Sequence, residues 1–179
     1  FKNAMLVDLM VKMHRESLKA SPFLDQDATG TEFQLEESDP FTFLAIFNRG
    51  VTDSNRIALL AFLKQEWQLK SEPPSDFAGL PLLNLQKSWF MPFKCRRTPQ
   101  HASTLWKFVV HVAKLDTPSN LNVELFDECL ALRGIGLAYL TMGMFWTRPD
   151  IWLSLDRKSR AYAESLGVDL LPRGGAEYV

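Results

Sequence analysis

Two glycines one residue apart, Gly134 and Gly136 in the run Leu132-Arg-Gly-Ile-Gly-Leu137, constrain what this chain can fold into more than any other feature. Glycine lacks a Cβ, so the backbone can turn in a left-handed conformation there and come close to another molecule. The pair stands between two apolar stretches and reads as a tight hairpin joining two helices, the second over residues 138–146. The N–H groups that open the second helix have no intrahelical acceptor and carry partial positive charge, which suits a phosphate. The competing reading is structural, one helix closed and another begun. Arg133 beside the pair favours phosphate contact.

The rest of the chain is patterned mainly for helices. Met5, Leu6, Leu9, Met10 and Met13 recur at helical spacing, with Lys2, Lys12, Arg15, Glu16 and Lys19 mostly on the other face. Residues 21–32 have the composition of a loop. Asp39-Pro40 reads as an N-cap followed by a proline at the first helical position, where the missing N–H costs nothing, and opens a short buried helix over 41–47 that Gly50 stops. Thr52, Asp53 and Ser54 offer the next cap, and Ile57, Leu59, Leu60, Leu63 and Trp67 form the inner stripe of a helix to about Leu69. A Pro/Ser-rich break at 71–75 and a turn-dense stretch at 77–81 precede a segment, 84–93, that fits a short helix ending before Pro92. Helices are expected at about 103–115 and 122–132, and a last one from Arg157 to Leu166 before Gly167.

At 179 residues the chain can bury a core without disulfides or metals, and 46% apolar with 23% charged residues describes an ordinary folded domain. One mainly α domain over 1–179 is expected. No stretch approaches twenty apolar residues and the start lacks the layout of a signal peptide, so a cytoplasmic protein without membrane contact is expected. A first residue other than Met fits a piece of a longer protein. Cys95, Cys129, His14, His101 and His111 are too scattered to suggest a metal, and no cofactor is expected. The net charge of -1 argues against a binder of polyanions over its whole surface. Its distribution is uneven: residues 1–86 hold eight Lys/Arg against twelve Asp/Glu, and 87–179 hold twelve against nine. A DNA face should therefore lie mostly in the second part.

Around the hairpin, Arg157, Lys158 and Arg160 read either as a solvated face or as further phosphate contacts, and Arg96 and Arg97, next to Lys94, are the second choice for such contacts. Asp156 has three readings: a carboxylate that activates water or stabilises a cationic sugar, the N-cap of the last helix, or the partner of an Arg. Capping is the favoured one. Trp89, Phe90, Trp146 and Trp152 are core residues or faces for a flipped base, Trp89 being the first to move to the ligand side. Asn48 and Arg49 close a helix or reach a base edge.

With its Leu-x-Gly-Ile-Gly hairpin, following helix, Pro149 loop and Asp156 before a last helix, the stretch from Leu132 to about Gly167 resembles the helix-hairpin-helix DNA glycosylase superfamily. Asp39-Pro40-Phe41 and Val51-Thr52-Asp53 are similar to that family's early helix and turn, so the resemblance implies glycosylase-like helical parts at 33–69 and 120–170 around a variable middle, 70–119. Ala138 stands where bifunctional members carry their Schiff-base lysine. The string from Arg133 through Arg148-Pro-Asp150 to Arg160-Ala-Tyr162, with Phe41, Asn48-Arg49-Gly50, Asn84 and Ser88-Trp89-Phe90, also resembles the region ahead of the AAA+ motor in McrB-like restriction proteins. That second resemblance implies a noncatalytic target-recognition module that takes double-stranded DNA, with or without a modified base. The motor and nuclease would lie elsewhere in the system, since no Walker A pattern occurs here. The alternatives are a monofunctional DNA glycosylase using Asp156 and a helical protein-interaction module.

Overall fold

The computed structural model describes residues 2–16, 18, 24–84 and 89–179. The fold is mainly α. Among the described residues the helices are α1 (Lys2–Arg15), α2 (Pro40–Ala45), α3 (Asp53–Trp67), α4 (His101–Val112), α5 (Val123–Leu130), α6 (Leu137–Thr147), α7 (Arg157–Ser165) and α8 (Gly175–Tyr178). One antiparallel hairpin pairs β1 (Leu24–Gln26) with β2 (Glu32–Gln34), Asp25 opposite Phe33. The chain divides into two compact units, one within Phe1–Ser38, Thr42–Trp89 and Phe93–Cys95, the other within Asp39–Phe41, Phe90–Pro92 and Arg96–Val179.

Local chemistry sets most helix ends. Asp39 accepts from the Phe41 N–H at 2.9 Å, Thr52 caps α3 through the Asn55 N–H, and Asn122 caps α5 through the Leu125 N–H at 2.8 Å. Gly167, at φ +75°, ends α7: its N–H reaches the Glu164 carbonyl while the Val168 N–H reaches that of Ala163, both at 3.0 Å. This doubly bonded left-handed stop is cheap only for glycine.

In the first unit a buried arginine organises the turn before α3. Arg56 Nε donates to the Phe47 carbonyl at 2.6 Å, its Nη2 to that of Arg49, and its Nη1 pairs with Asp53 at 2.7 Å, while the guanidinium lies 4.6 Å from the Phe77 ring centre. A cation can be buried there because its donors are used. Lys12 of α1 pairs with Glu66 of α3 at 2.5 Å.

The second unit is built on rings. Phe41 lies 5.3 Å from Phe90 and 6.3 Å from Phe108, and Phe108 lies 5.9 Å from Phe126. α5 packs on α4, α6 and α8. Gly143 faces this core directly, for a Cβ there would overlap the Phe41 ring.

Several expectations need correcting. Of the loop expected over 21–32, residues 21–23 lie outside the described residues, and the rest contains β1, the start of β2 and between them a five-residue turn held by Asp27 Oδ1 accepting from the Thr29 and Thr31 N–H groups. Alternation over three residues is too short to read as a strand. The buried helix expected over 41–47 stops at Ala45. Of the helix expected at 84–93, residues 85–88 lie outside the described residues, and Asn84 and Trp89–Phe93 are not helical. Ile57 is exposed and Trp67 is 43% exposed, whereas Arg56 and Phe62 are buried. The inward arc of α3, formed by Arg56, Leu59, Phe62 and Leu63, has at its edge Arg56, a residue that hydrophobic patterning assigns to solvent.

Gly143→Ala should cost about 1–3 kcal/mol, since Phe41 is held between Phe90 and Phe108 and cannot yield without moving them. A urea unfolding midpoint unchanged by the substitution would show that the ring can move aside.

Candidate nucleic-acid interface

The hairpin is a tight, solvent-facing turn. The Leu132 N–H reaches the Cys129 carbonyl and the Ile135 N–H reaches that of Leu132, both at 3.1 Å. Gly134 takes φ +89° between them, Ile135 is buried, and Arg133, Gly134 and Gly136 are exposed. The positive φ turns the chain so that the isoleucine enters the core and the arginine stays in water.

Gly136 is the N-cap of α6 in an extended conformation, φ -107°, and offers no side-chain cap. A Cβ built on it meets nothing within 4 Å. Neither backbone strain nor crowding inside the chain therefore requires glycine at 136, in contrast to 134. The opening N–H groups of α6 are left to solvent or to an external acceptor.

α7 begins close to α6. Thr141, one turn into α6, donates its hydroxyl to the Leu137 carbonyl at 2.9 Å and accepts from the Leu155 N–H at 3.0 Å. One hydroxyl thus joins the first turn of α6 to the residue preceding Asp156, and the exposed Arg157 and Lys158 follow at once. Arg160, one turn on, is partly buried.

Asp156 is the N-cap of α7. Its Oδ1 accepts from the Lys158 N–H at 2.7 Å and, more weakly, from the Ser159 N–H, and its Oδ2 accepts from the Ser154 and Ser159 hydroxyls at 3.0 and 3.1 Å. Both oxygens are occupied, an arrangement for holding a helix start in place. Arg148, in the loop after α6, forms a forked pair with Asp150 and donates to the Leu115 carbonyl at 2.7 Å, tying that loop to the end of α4. The hydrogen bonds from Arg148 hold the Asp150 carboxyl below its ordinary range.

The remaining candidates are dispersed. Arg96 is exposed at the end of a 3-10 turn, Lys94–Arg96, and Arg97 donates to the Pro92 carbonyl. Lys94, with no acid next to it in sequence, pairs with Glu36 at 2.5 Å, and its backbone N–H donates to the buried Asp25. In the first unit Trp89 is partly exposed, Asn48 donates to the Leu44 carbonyl, and Arg49 is 3% exposed with burial lowering its pKa. Phe90 and Trp152 are core residues of the second unit, and Trp146 lies 6.1 Å from Phe90.

Charge is local. The second unit holds ten Lys/Arg and ten Asp/Glu, so the positive excess of the second part of the chain does not carry over to it. Within it, residues 132–160 carry five Lys/Arg against two Asp, and 161–179 carry one Arg against three acids.

Other reactive groups are quiet. Burial, then the charges of Glu128 and Asp39, push the Cys129 thiol up to about 12, so it stays protonated at neutral pH. Among the described residues no cluster of three or more His, Cys, Asp or Glu is placed to hold a metal ion, and no helix is long and apolar enough to cross a membrane. Sequence reading missed Thr141, although a hydroxyl inside the apolar run 138–146 is a visible exception to the pattern.

Thr141→Val keeps the shape but leaves the Leu155 N–H without its acceptor, and should cost about 1–3 kcal/mol. Asp156→Ala should cost about 1 kcal/mol while Asp156→Asn, which still caps, costs less. Chemical unfolding of the three variants tests this; equal losses for Ala and Asn would remove capping as the role of Asp156.

No curated protein and no solved structure matches the chain. A family described as Domain of unknown function (DUF8425) matches residues 2–179, nearly the whole length. The chain therefore belongs to that family.

Proposed function

We propose that this domain is a noncatalytic DNA-binding, target-recognition module of a McrB-like, modification-dependent restriction system, its C-terminal part gripping DNA as a helix-hairpin-helix. The observation that carries this reading is Gly136. Glycine there is required neither by its backbone conformation nor by its neighbours, and it bares the N–H groups that open an eleven-residue helix. A phosphate set against those groups would be the close neighbour that a side chain excludes.

The neighbouring charges support it. Arg133 is exposed beside the turn, and Thr141 holds the start of α7, with Arg157 and Lys158, next to the first turn of α6. Phosphates on a duplex backbone would engage these groups whatever the sequence. Arg160, Arg96 and Arg97 are secondary contacts. Trp89, which is partly exposed, is the first candidate for base inspection, followed by Asn48 and Arg49. The occupied oxygens of Asp156 favour a reader over a glycosylase. The partners of this reading are double-stranded DNA and a motor and nuclease elsewhere in a cytoplasmic system, with no membrane and no cofactor.

Gly136→Ser is the informative variant. Serine is a better N-cap than glycine, so the fold should be as stable or slightly more so, while its hydroxyl competes for the N–H groups a phosphate would use. Affinity for a short duplex, followed by fluorescence anisotropy, should fall about tenfold, the loss of one charge-assisted hydrogen bond. Arg157→Gln with Lys158→Gln should flatten the dependence of log affinity on log salt by about 0.9 for each phosphate that is no longer neutralised. A duplex series with cytosine, adenine and their methylated forms tests base inspection, and equal binding to all would remove it. Absence of any salt-dependent binding would select the protein-interaction alternative, and base release abolished by Asp156→Asn would select the glycosylase.

A further inference from the structure

The second unit also carries a feature of different character from the proposed grip, a cavity whose lining runs from Ile151 to Leu155 and on into the C-terminal stretch. This cavity of about 420 Å³ is bounded by Pro118, Trp152, Leu153 and the C-terminal stretch that includes Asp169, Leu171 and Glu177. Its volume falls in the range of about 300–1,000 Å³ usual for ligand pockets. Leu153 and Leu171, both lining it, are 51% and 52% exposed. The carboxylates are available: Asp169 has no hydrogen-bond or ionic partner among the described residues, and Glu177 uses only Oε2, which accepts from the Arg173 N–H at 2.8 Å. The stretch 161–179 holds three acids against one arginine.

The chemistry of the walls narrows the occupant. A nucleic-acid backbone would meet two carboxylates, which repel it. A planar base would need a free aromatic face, but Trp152 is 3% exposed and Tyr178 is already in near-parallel stacks with Phe126 at 5.4 Å and Trp152 at 5.9 Å. What remains complementary is an aliphatic side chain for the leucines and prolines with a cation beside it for the carboxylates. A protein segment supplies both.

We infer that this cavity is a docking site for a partner protein segment that places a leucine-like side chain against Leu153 and Leu171 and a Lys or Arg against Asp169 and Glu177. The inference goes beyond the DNA reading and does not depend on it. The site holds its partner through desolvated aliphatic contact and selects it by charge, so binding weakens as salt rises.

The test uses the 179-residue chain, isotopically labelled, titrated with short peptides of alternating Leu/Lys, Leu/Glu and Ser/Lys and separately with a short DNA duplex. The Trp152 indole N–H, assigned through Trp152→Phe, and the Leu153 and Asp169 amides report on the cavity. The Leu/Lys peptide should shift these signals, with the other two peptides at least tenfold weaker. Asp169→Asn combined with Glu177→Gln should weaken the Leu/Lys peptide at least tenfold. Leu171→Asp, at an exposed position, should abolish its binding while amide signals away from the cavity stay in place. Shifts confined to other surfaces, equal binding of the Leu/Glu peptide, or an unaffected double variant would overturn the inference. Cavity signals that move with the duplex and not with the peptide would assign the site to nucleic acid instead.

Discussion

A continuous line of ring contacts runs through the second unit, Phe90 to Phe41 to Phe108 to Phe126 to Tyr178 to Trp152, with neighbouring centres 5.3–6.3 Å apart. These six rings come from distant stretches of chain. They explain why a unit made chiefly of residues after Arg96 also includes Asp39–Phe41 and Phe90–Pro92. Each ring buries a large apolar area, and edge and offset geometries add about 0.5–1.5 kcal/mol per pair. The line also sets limits on its surroundings: Gly143 must lack a side chain where Phe41 lies, and Gly174 and Gly175 let α8 approach α5, where Asp127 accepts from the Gly175 N–H at 2.8 Å.

On that core the helix ends are treated differently from one another. α3, α5 and α7 begin on side-chain caps that each take up one or two opening N–H groups, and α7 ends on a left-handed glycine. α6 begins on a glycine that caps nothing. The Thr141 hydroxyl then brings the capped start of α7 alongside that open end, and exposed cations flank both. The resulting charge is a local patch on a unit that is neutral as a whole, with acids collected toward the C-terminal stretch.

Much of this was legible in the chain because it rests on short-range chemistry. Asp39-Pro40, the Thr52 start, the Leu132–Leu137 hairpin, Asp156 ahead of Arg157 and the Gly167 stop are each read within four or five residues, and each lies where the local pattern puts it. Errors arose where distant partners decide. Arg56 is a buried residue only because the Phe47 and Arg49 carbonyls surround it, and its burial turns Ile57 outward. β1 and β2 exist through pairing across a turn, and among the described residues between Asn84 and Phe93 there is no helix despite their apolar character.

The hairpin, then, was set by sequence alone, since a left-handed turn at Gly134 and an uncapped start at Gly136 follow from the absence of Cβ atoms at those positions. Its surroundings were not. That Arg157 and Lys158 follow a residue bonded to the first turn of α6, and that Trp152 and Tyr178 close one side of an acidic cavity, are outcomes of packing. Such contacts join residues from fourteen to more than fifty positions apart, and only the burial of a shared core decides which of them meet.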